Sequence, residues 1–140
     1  MTEAEHERWS TRALEWARAW GPATLWLAVL FILSEQPGDA VPGWWTLPDT
    51  VSHAILYSVL GATLIWGRRT LDGRPPLVGL AVLGLVLAVL DEWHQSFVPG
   101  RTPSASDVAF DALGLVLGGT AALIAFRYFP LGPDRLERNP

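Results

Sequence analysis

The 140-residue chain contains neither cysteine nor lysine, and only 17% of its residues are charged. Without cysteine, disulfides and thiolate metal sites are excluded. The net charge of −4 gives no basic stripe of the kind that binds nucleic acid, so we expect no nucleic-acid partner. Because 50% of the residues are apolar, too little polar surface remains for a soluble domain of this size.

The apolar residues are concentrated in four blocks that are separated by polar stretches. A helix needs about 20 residues to cross a bilayer core, and each block reaches that length with a few flanking residues. The blocks are residues 20–33, 50–66, 77–90 and 108–126. The sequence therefore predicts an all-α, polytopic integral membrane protein, a bundle of four transmembrane helices.

Two segments flank a predicted membrane domain of residues 20–129. Residues 1–19 alternate in charge and are expected to form an amphipathic cytoplasmic helix on the membrane surface. Residues 130–140 are polar and are expected to be a flexible cytoplasmic tail. Trp44 and Trp45, in the loop after the first block, are typical of the membrane interface.

The arginines indicate an orientation. Nine of the ten lie in the N-terminal segment, in the 67–76 loop or from Arg127 onward, and Arg101 alone lies in the 91–106 loop. The positive-inside rule then places both termini in the cytoplasm and the 34–49 and 91–106 loops outside. We expect a multi-pass protein of the plasma or inner membrane.

Ionisable residues of three predicted helices fall at one depth. Counting about 20 residues from each inner boundary places His53, Asp91, Glu92 and Asp111 about one turn below the outer surface. A charge at that depth costs roughly 3 kcal/mol or more unless it is paired or solvated, so these side chains should converge in a polar pocket.

Helical spacing adds residues to this pocket. Asp49, His53 and Tyr57 recur every four residues and form one stripe of the second helix. Asp107 and Asp111 share a face with two glycines, which predicts a close small-xxx-small contact with a neighbouring helix. The two glycines are Gly114 and Gly118.

The third helix is expected to continue to about Gln95. Asp91, His94 and Gln95 would then share one face, and Glu92 would point elsewhere.

Three motifs in combination resemble the VanZ-like membrane protein family. They are D-x-x-x-H-x-x-x-Y over 49–57, D-E-x-H-Q-x-F-x-P-G-R over 91–101 and S-x-x-D-V-x-x-D-x-x-G-x-x-x-G over 104–118. The resemblance covers residues 33–119, although the family usually carries Asn where this chain has Asp111. It implies a bacterial cell-envelope setting and a link to antibiotic resistance, since family members are associated with lowered susceptibility to teicoplanin-type glycopeptides. It supplies no established reaction.

The pocket residues suit more than one role. His53, Asp91 and Glu92 are candidates for acid–base catalysis, although His53 could equally be a packing histidine bonded to Asp111 or Glu92. Arg101 either neutralises the carboxylates or holds a phosphate or carboxylate of a ligand. The predicted ligand-binding residues are Asp49, Tyr57, His94, Gln95, Arg101, Asp107 and Asp111.

Two of these positions also have ordinary helix-end interpretations. Asp49 follows Pro48 and suits an N-cap of the second helix. Ser104 and Asp107 have the spacing of a capping box for the fourth.

The predicted pocket is anionic and must be relieved by protons, a cation or a basic ligand. A divalent metal held by His53 with carboxylates is chemically reasonable, but no spacing here is a known metal fingerprint, which leaves the cofactor open.

Three functions remain. The first choice is a binding protein for a membrane lipid or lipid-linked envelope ligand. The alternative is a membrane-embedded acid–base enzyme, for which no nucleophile or scissile bond can be named. The third is a small proton-linked carrier working as a homo-oligomer, because four short helices enclose little pathway alone.

Overall fold

The computed structural model describes residues 2–37, 47–71 and 74–129, and within them the chain forms four α-helices and no strand. The helices are α1 (Glu3–Ser34), α2 (Asp49–Thr70), α3 (Leu77–Gln95) and α4 (Ala105–Tyr128). Each is long and apolar enough to cross a membrane. The predicted all-α membrane fold is confirmed. Trp44, Trp45 and the 130–140 tail lie outside the described residues.

The first helix is longer than a bilayer requires. A capping box starts it: the Thr2 hydroxyl accepts from the Glu5 backbone N–H, and the Glu5 carboxylate accepts from the Thr2 N–H. Its 32 residues correspond to about 48 Å, against a hydrocarbon core of about 30 Å. The predicted boundary between residues 19 and 20 falls inside this continuous helix, so the surface position of the first segment stays a prediction.

Contacts between helix ends show that the four helices alternate in direction. At one end the Trp66 indole donates to the Arg18 carbonyl over 3.2 Å, and Arg69 lies against Phe126. At the other end Ser34 donates to Asp91. Arg101, which pairs with Asp49 at the start of α2, therefore lies at the opposite end of the bundle from Arg18, Arg69 and Arg127, as the sequence predicts. The side of the membrane that each end faces stays a prediction.

The closest helix pair is α2 with α4. The Cα atoms of Gly114 and Gly118 lie against the backbone of Ala54 and Ser58, and a Cβ at either glycine would overlap a carbonyl of α2. Gly61 makes the reciprocal approach to the α4 backbone. The predicted small-xxx-small contact is present, with α2 as the partner.

Large apolar side chains cover the outside of the bundle. Val78, Val82 and Val89 of α3 and Val116 and Leu117 of α4 are all exposed. In water such a surface would promote aggregation, whereas hydrocarbon tails are its natural solvent. The exposed surface and the helix lengths together describe a multi-pass membrane protein.

The glycine contact predicts a position-specific cost for a single methyl group. Gly118→Ala should lower stability by about 1–3 kcal/mol, because the two backbones must separate. Gly21→Ala is the matched control, since a Cβ there meets nothing within 4 Å and should leave stability unchanged or slightly raised. Thermal unfolding in detergent, followed by tryptophan fluorescence, measures both. Equal melting temperatures would show that the contact is not close in solution.

Candidate functional site

Polar side chains of α2, α3 and α4 meet at the bundle end that carries Arg101. We call this group the acidic layer. It consists of Asp49, His53, Asp91, Glu92, Arg101, Asp107 and Asp111. His53, Glu92, Asp107 and Asp111 are buried. The convergence expected from the depth count is thus seen in the described structure.

At the centre of the layer, His53 Nδ1 lies 3.0 Å from Asp111 Oδ1. The glycine contact explains this pair, because Gly114 is one turn below Asp111 and packs against Ala54, the neighbour of His53. Asp111 is 0% exposed, and its Oδ2 has no hydrogen-bond partner in the part of the chain that is described. A buried acceptor without a hydrogen bond costs about 1–3 kcal/mol. A hydrogen-bond donor or a cation beside Asp111 Oδ2 would therefore stabilise the pair.

Asp91 joins the layer from α3. Its carboxylate accepts hydrogen bonds from the Ser34 hydroxyl and, over 3.3 Å, from the Gln95 amide, and it interacts with the Tyr57 hydroxyl. The bond to Gln95 agrees with the predicted shared face. Ligand atoms of Asp91, His53 and Asp111 all lie within 4.8 Å of one another.

Glu92 points away from the face of Asp91, as the helical spacing predicts, and the structure shows that it contacts the start of α4. Its Oε1 accepts from the Ser104 backbone N–H at the start of α4, while Oε2 is buried without a hydrogen-bond partner among the described residues. A carboxylate suits this place because the N-terminus of a helix carries partial positive charge.

The predicted capping box of α4 is only partly formed. Ser104 is the N-cap, but its hydroxyl accepts from the Ser106 N–H over 3.1 Å. Glu92 occupies the place that the Asp107 carboxylate would take on the Ser104 N–H. Asp107 instead lies in the layer, within 4.8 Å of ligand atoms of His53 and Asp49.

Arg101 pairs with Asp49 and not with Asp91 or Glu92. Its Nη1 lies 3.4 Å from Asp49 Oδ2, and its Nε donates to the Gln36 carbonyl over 3.2 Å. The N-cap of α2 is Pro48 without a side-chain cap, so the predicted capping role of Asp49 is wrong by one residue. The Asp49 side chain is 61% exposed and that of Arg101 14% exposed, which makes this pair the rim of the layer.

His94 turns away from the layer. Its Nε2 lies 3.0 Å from Glu35 Oε1, and its ring lies 4.9 Å from that of Phe31. The structure therefore groups His94 with α1, whereas Gln95 is buried beside Asp91.

Polar residues at the end of α1 also contact the layer, although the sequence pattern did not predict them as site residues. Ser34 is buried against Asp91, Glu35 pairs with His94, and the Gln36 carbonyl accepts from Arg101. A signal was available, because these polar residues directly follow the first apolar block, at the depth where the other helices carry their charges.

Comparison with known proteins identifies the chain. The VanZ/LLP1 family model matches residues 19–126, which include the whole acidic layer and most of the four helices. The chain belongs to the VanZ/LLP1 family. Searches of the curated proteins and of the solved structures found no match. The VanZ/LLP1 match confirms the resemblance carried by the three motifs and assigns no role to the acidic layer.

Charge in the layer is unbalanced. Five carboxylates face one guanidinium, and a protonated His53 would still leave a net negative charge. Partial burial makes this imbalance costly, because the low dielectric strengthens repulsion between like charges. The layer is consequently suited to take up a positively charged group.

The pairs His53–Asp111 and His94–Glu35 are both 3.0 Å apart, but only the first is buried. Comparing them tests how burial changes the interaction energy of a histidine–carboxylate pair. We expect His53→Ala and Asp111→Ala to show a coupling of about 1–3 kcal/mol in a double-mutant cycle, because each leaves a buried partner unsatisfied. The cycle of His94→Ala with Glu35→Ala, also 3.0 Å apart but partly exposed, should give no more than about 1 kcal/mol.

Denaturant unfolding in detergent with a chelator measures both cycles. Equal coupling in the two cycles would contradict the view that the inner pair is desolvated.

Proposed function

We propose that this VanZ/LLP1 protein is a binding protein of the bacterial cell envelope, whose acidic layer takes up the head group of a lipid or lipid-linked ligand. One observation carries the proposal. Two buried carboxylate oxygens, Asp111 Oδ2 and Glu92 Oε2, have no hydrogen-bond partner among the described residues and belong to an uncompensated acidic cluster. A bound polar group would remove this cost.

The rim of the layer supports a head group as the occupant. The contacts of Arg101 Nη1 with Asp49 are long, at 3.4 and 3.5 Å, so its guanidinium can exchange this partner for a phosphate or carboxylate. Carboxylates lie behind Arg101, where an amine of the same head group would be favoured. Trp93 and Phe97, both exposed at the same end of α3, suit the interfacial depth at which head groups lie.

The proposed location is the inner membrane, with both termini in the cytoplasm and the acidic layer in the outer leaflet. Arginine distribution supports this orientation. Modulation of glycopeptide susceptibility is a further part of the proposal and rests on the family resemblance alone.

Orientation can be tested with single cysteines, since the natural chain has none. Thr102→Cys and Thr70→Cys are matched changes at exposed threonines of opposite bundle ends. A membrane-impermeant maleimide should label Thr102→Cys in intact spheroplasts and Thr70→Cys only after permeabilisation. The reverse pattern would place the acidic layer on the cytoplasmic side.

Ligand binding can be tested by native mass spectrometry of protein purified from bacterial membranes in mild detergent. Arg101→Ala should reduce occupancy by a co-purifying lipid or lipid-linked species about tenfold, because a charge-assisted contact is lost. Glu92→Gln should cost less, since the amide keeps the shape and most of the hydrogen-bonding capacity.

Glu35→Gln is the control, because it removes one negative charge from the same bundle end outside the layer. No co-purifying species in the wild type, or equal loss in all three variants, would contradict the proposal.

A second function is favoured by the His53–Asp111 pair, because a carboxylate that orients an imidazole is a common arrangement in acid–base enzymes. In that case Glu92→Gln would retain the bound species and abolish its conversion. The carrier hypothesis finds less support, since the buried side chains of α2 below Tyr57 are apolar, namely Leu60, Leu64 and Ile65.

A further inference from the structure

We propose that His53, Asp91 and Asp111 form a binding site for one divalent transition-metal ion, Zn²⁺ or Mn²⁺. The three residues come from α2, α3 and α4, so the ion would join the three helices that build the acidic layer. The site does not depend on a head group being bound.

The spacing of the three residues fits metal coordination. One ligand atom from each residue lies within 4.8 Å of the other two, and His53 Nδ1 and Asp111 Oδ1 are 3.0 Å apart. Two ligands about 2.1 Å from an ion are about 3 Å apart at the right angles of an octahedral site and about 3.4 Å apart in a tetrahedral one, so this pair is close to the separation of adjacent ligands.

A second, independent observation points to a ligand. Asp111 is 0% exposed, and its Oδ2 has no hydrogen-bond partner in the described part of the chain. Asp91, by contrast, is held by the Ser34 hydroxyl and the Gln95 amide. Carboxylates that bind metals are typically held in orientation by hydrogen bonds from residues that do not themselves contact the metal.

A second trio, Asp49, His53 and Asp107, is also close enough to hold an ion. It is the weaker choice, because Asp49 is exposed and paired with Arg101, whose charge would repel a cation. In the inner trio, by contrast, no residue forms an ion pair with Arg101 in the described structure. The inner trio also places the positive charge beside Asp111, which is the most deeply buried carboxylate of the layer.

The donor set selects the class of metal. One imidazole with carboxylates suits Zn²⁺ or Mn²⁺, whereas Mg²⁺ and Ca²⁺ prefer sites made of oxygen alone. A bound ion would offset two of the negative charges of the layer. An anionic head group could then approach carboxylates that would otherwise repel it, which links the site to the proposed function without depending on it.

The experiment uses the full chain in mild detergent, stripped with a chelator and titrated with Zn²⁺ or Mn²⁺ alone. Calorimetry and elemental analysis should show about one ion per chain, with a dissociation constant in the micromolar range or below. Asp111→Asn should weaken binding at least about tenfold. Glu35→Gln, which removes one negative charge from the same bundle end outside the layer, should remain within about threefold of the wild type. Asp107→Asn should weaken binding less than Asp111→Asn does.

Asp91→Asn serves as a second variant, because Asp91 is less buried and its loss threatens the fold less. The bound ion should also raise the melting temperature of the wild type and of Glu35→Gln, but not that of Asp111→Asn or Asp91→Asn. Absence of stoichiometric binding to folded wild-type protein would overturn the site. A larger loss in Asp107→Asn than in Asp111→Asn would overturn it in favour of the outer trio.

Failure of the metal titration leaves the lipid-occupancy measurement unaffected, because that measurement compares co-purifying species without added metal. Conversely, metal binding by a protein that retains no lipid would support the site and contradict the head-group proposal.

Discussion

The backbone contact between α2 and α4 is the constraint on which the site depends. Gly114 and Gly118 let the two helices approach until carbonyls of one helix meet Cα atoms of the other. His53 and Asp111 are thereby held 3.0 Å apart. In a bilayer no hydrophobic effect drives helices together, so close van der Waals packing of this kind is a main source of association. The same contact that holds the helix pair also sets the geometry of its polar centre.

Burial gives the polar centre its chemical character. The carboxylates of the acidic layer are partly satisfied by neutral donors, namely the Ser34 hydroxyl, the Gln95 amide and the Ser104 N–H. Neutral donors stabilise a negative charge without cancelling it, so the excess of acids still has to be relieved by protons, a cation or a basic ligand. The one guanidinium of the layer pairs with the exposed rim residue Asp49 and with none of the buried carboxylates of the described structure. A structure held together only by internal salt bridges would be expected to place its cation among the buried acids.

The helices and the layer could be predicted because hydrocarbon thickness fixes helix length, and helix length fixes depth. Counting along three helices placed His53, Asp91, Glu92 and Asp111 at one level without any knowledge of neighbours. Pairings could not be obtained in this way, because they depend on rotations and on the chain between helices. Arg101 reaches Asp49 through a turn at Gly100, whose positive φ of 76° favours glycine, and periodicity carries no information on where that turn directs the side chain.

The sequence pattern correctly places Ser104 at the N-cap of α4, but it does not identify the carboxylate that accepts the Ser104 N–H. The spacing of Ser104 and Asp107 describes a helix that caps itself. In the structure Glu92 of α3 accepts the Ser104 N–H, and Asp107 is directed toward His53 and Asp49. One carboxylate thus replaces another at the helix end, and the number of acids in the layer stays the same, because Glu92 and Asp107 exchange roles. The exchange instead couples two helices, since the carboxylate that accepts the N–H at the start of α4 comes from α3. Helix capping and the arrangement of the acidic layer therefore depend on the same interhelical contact.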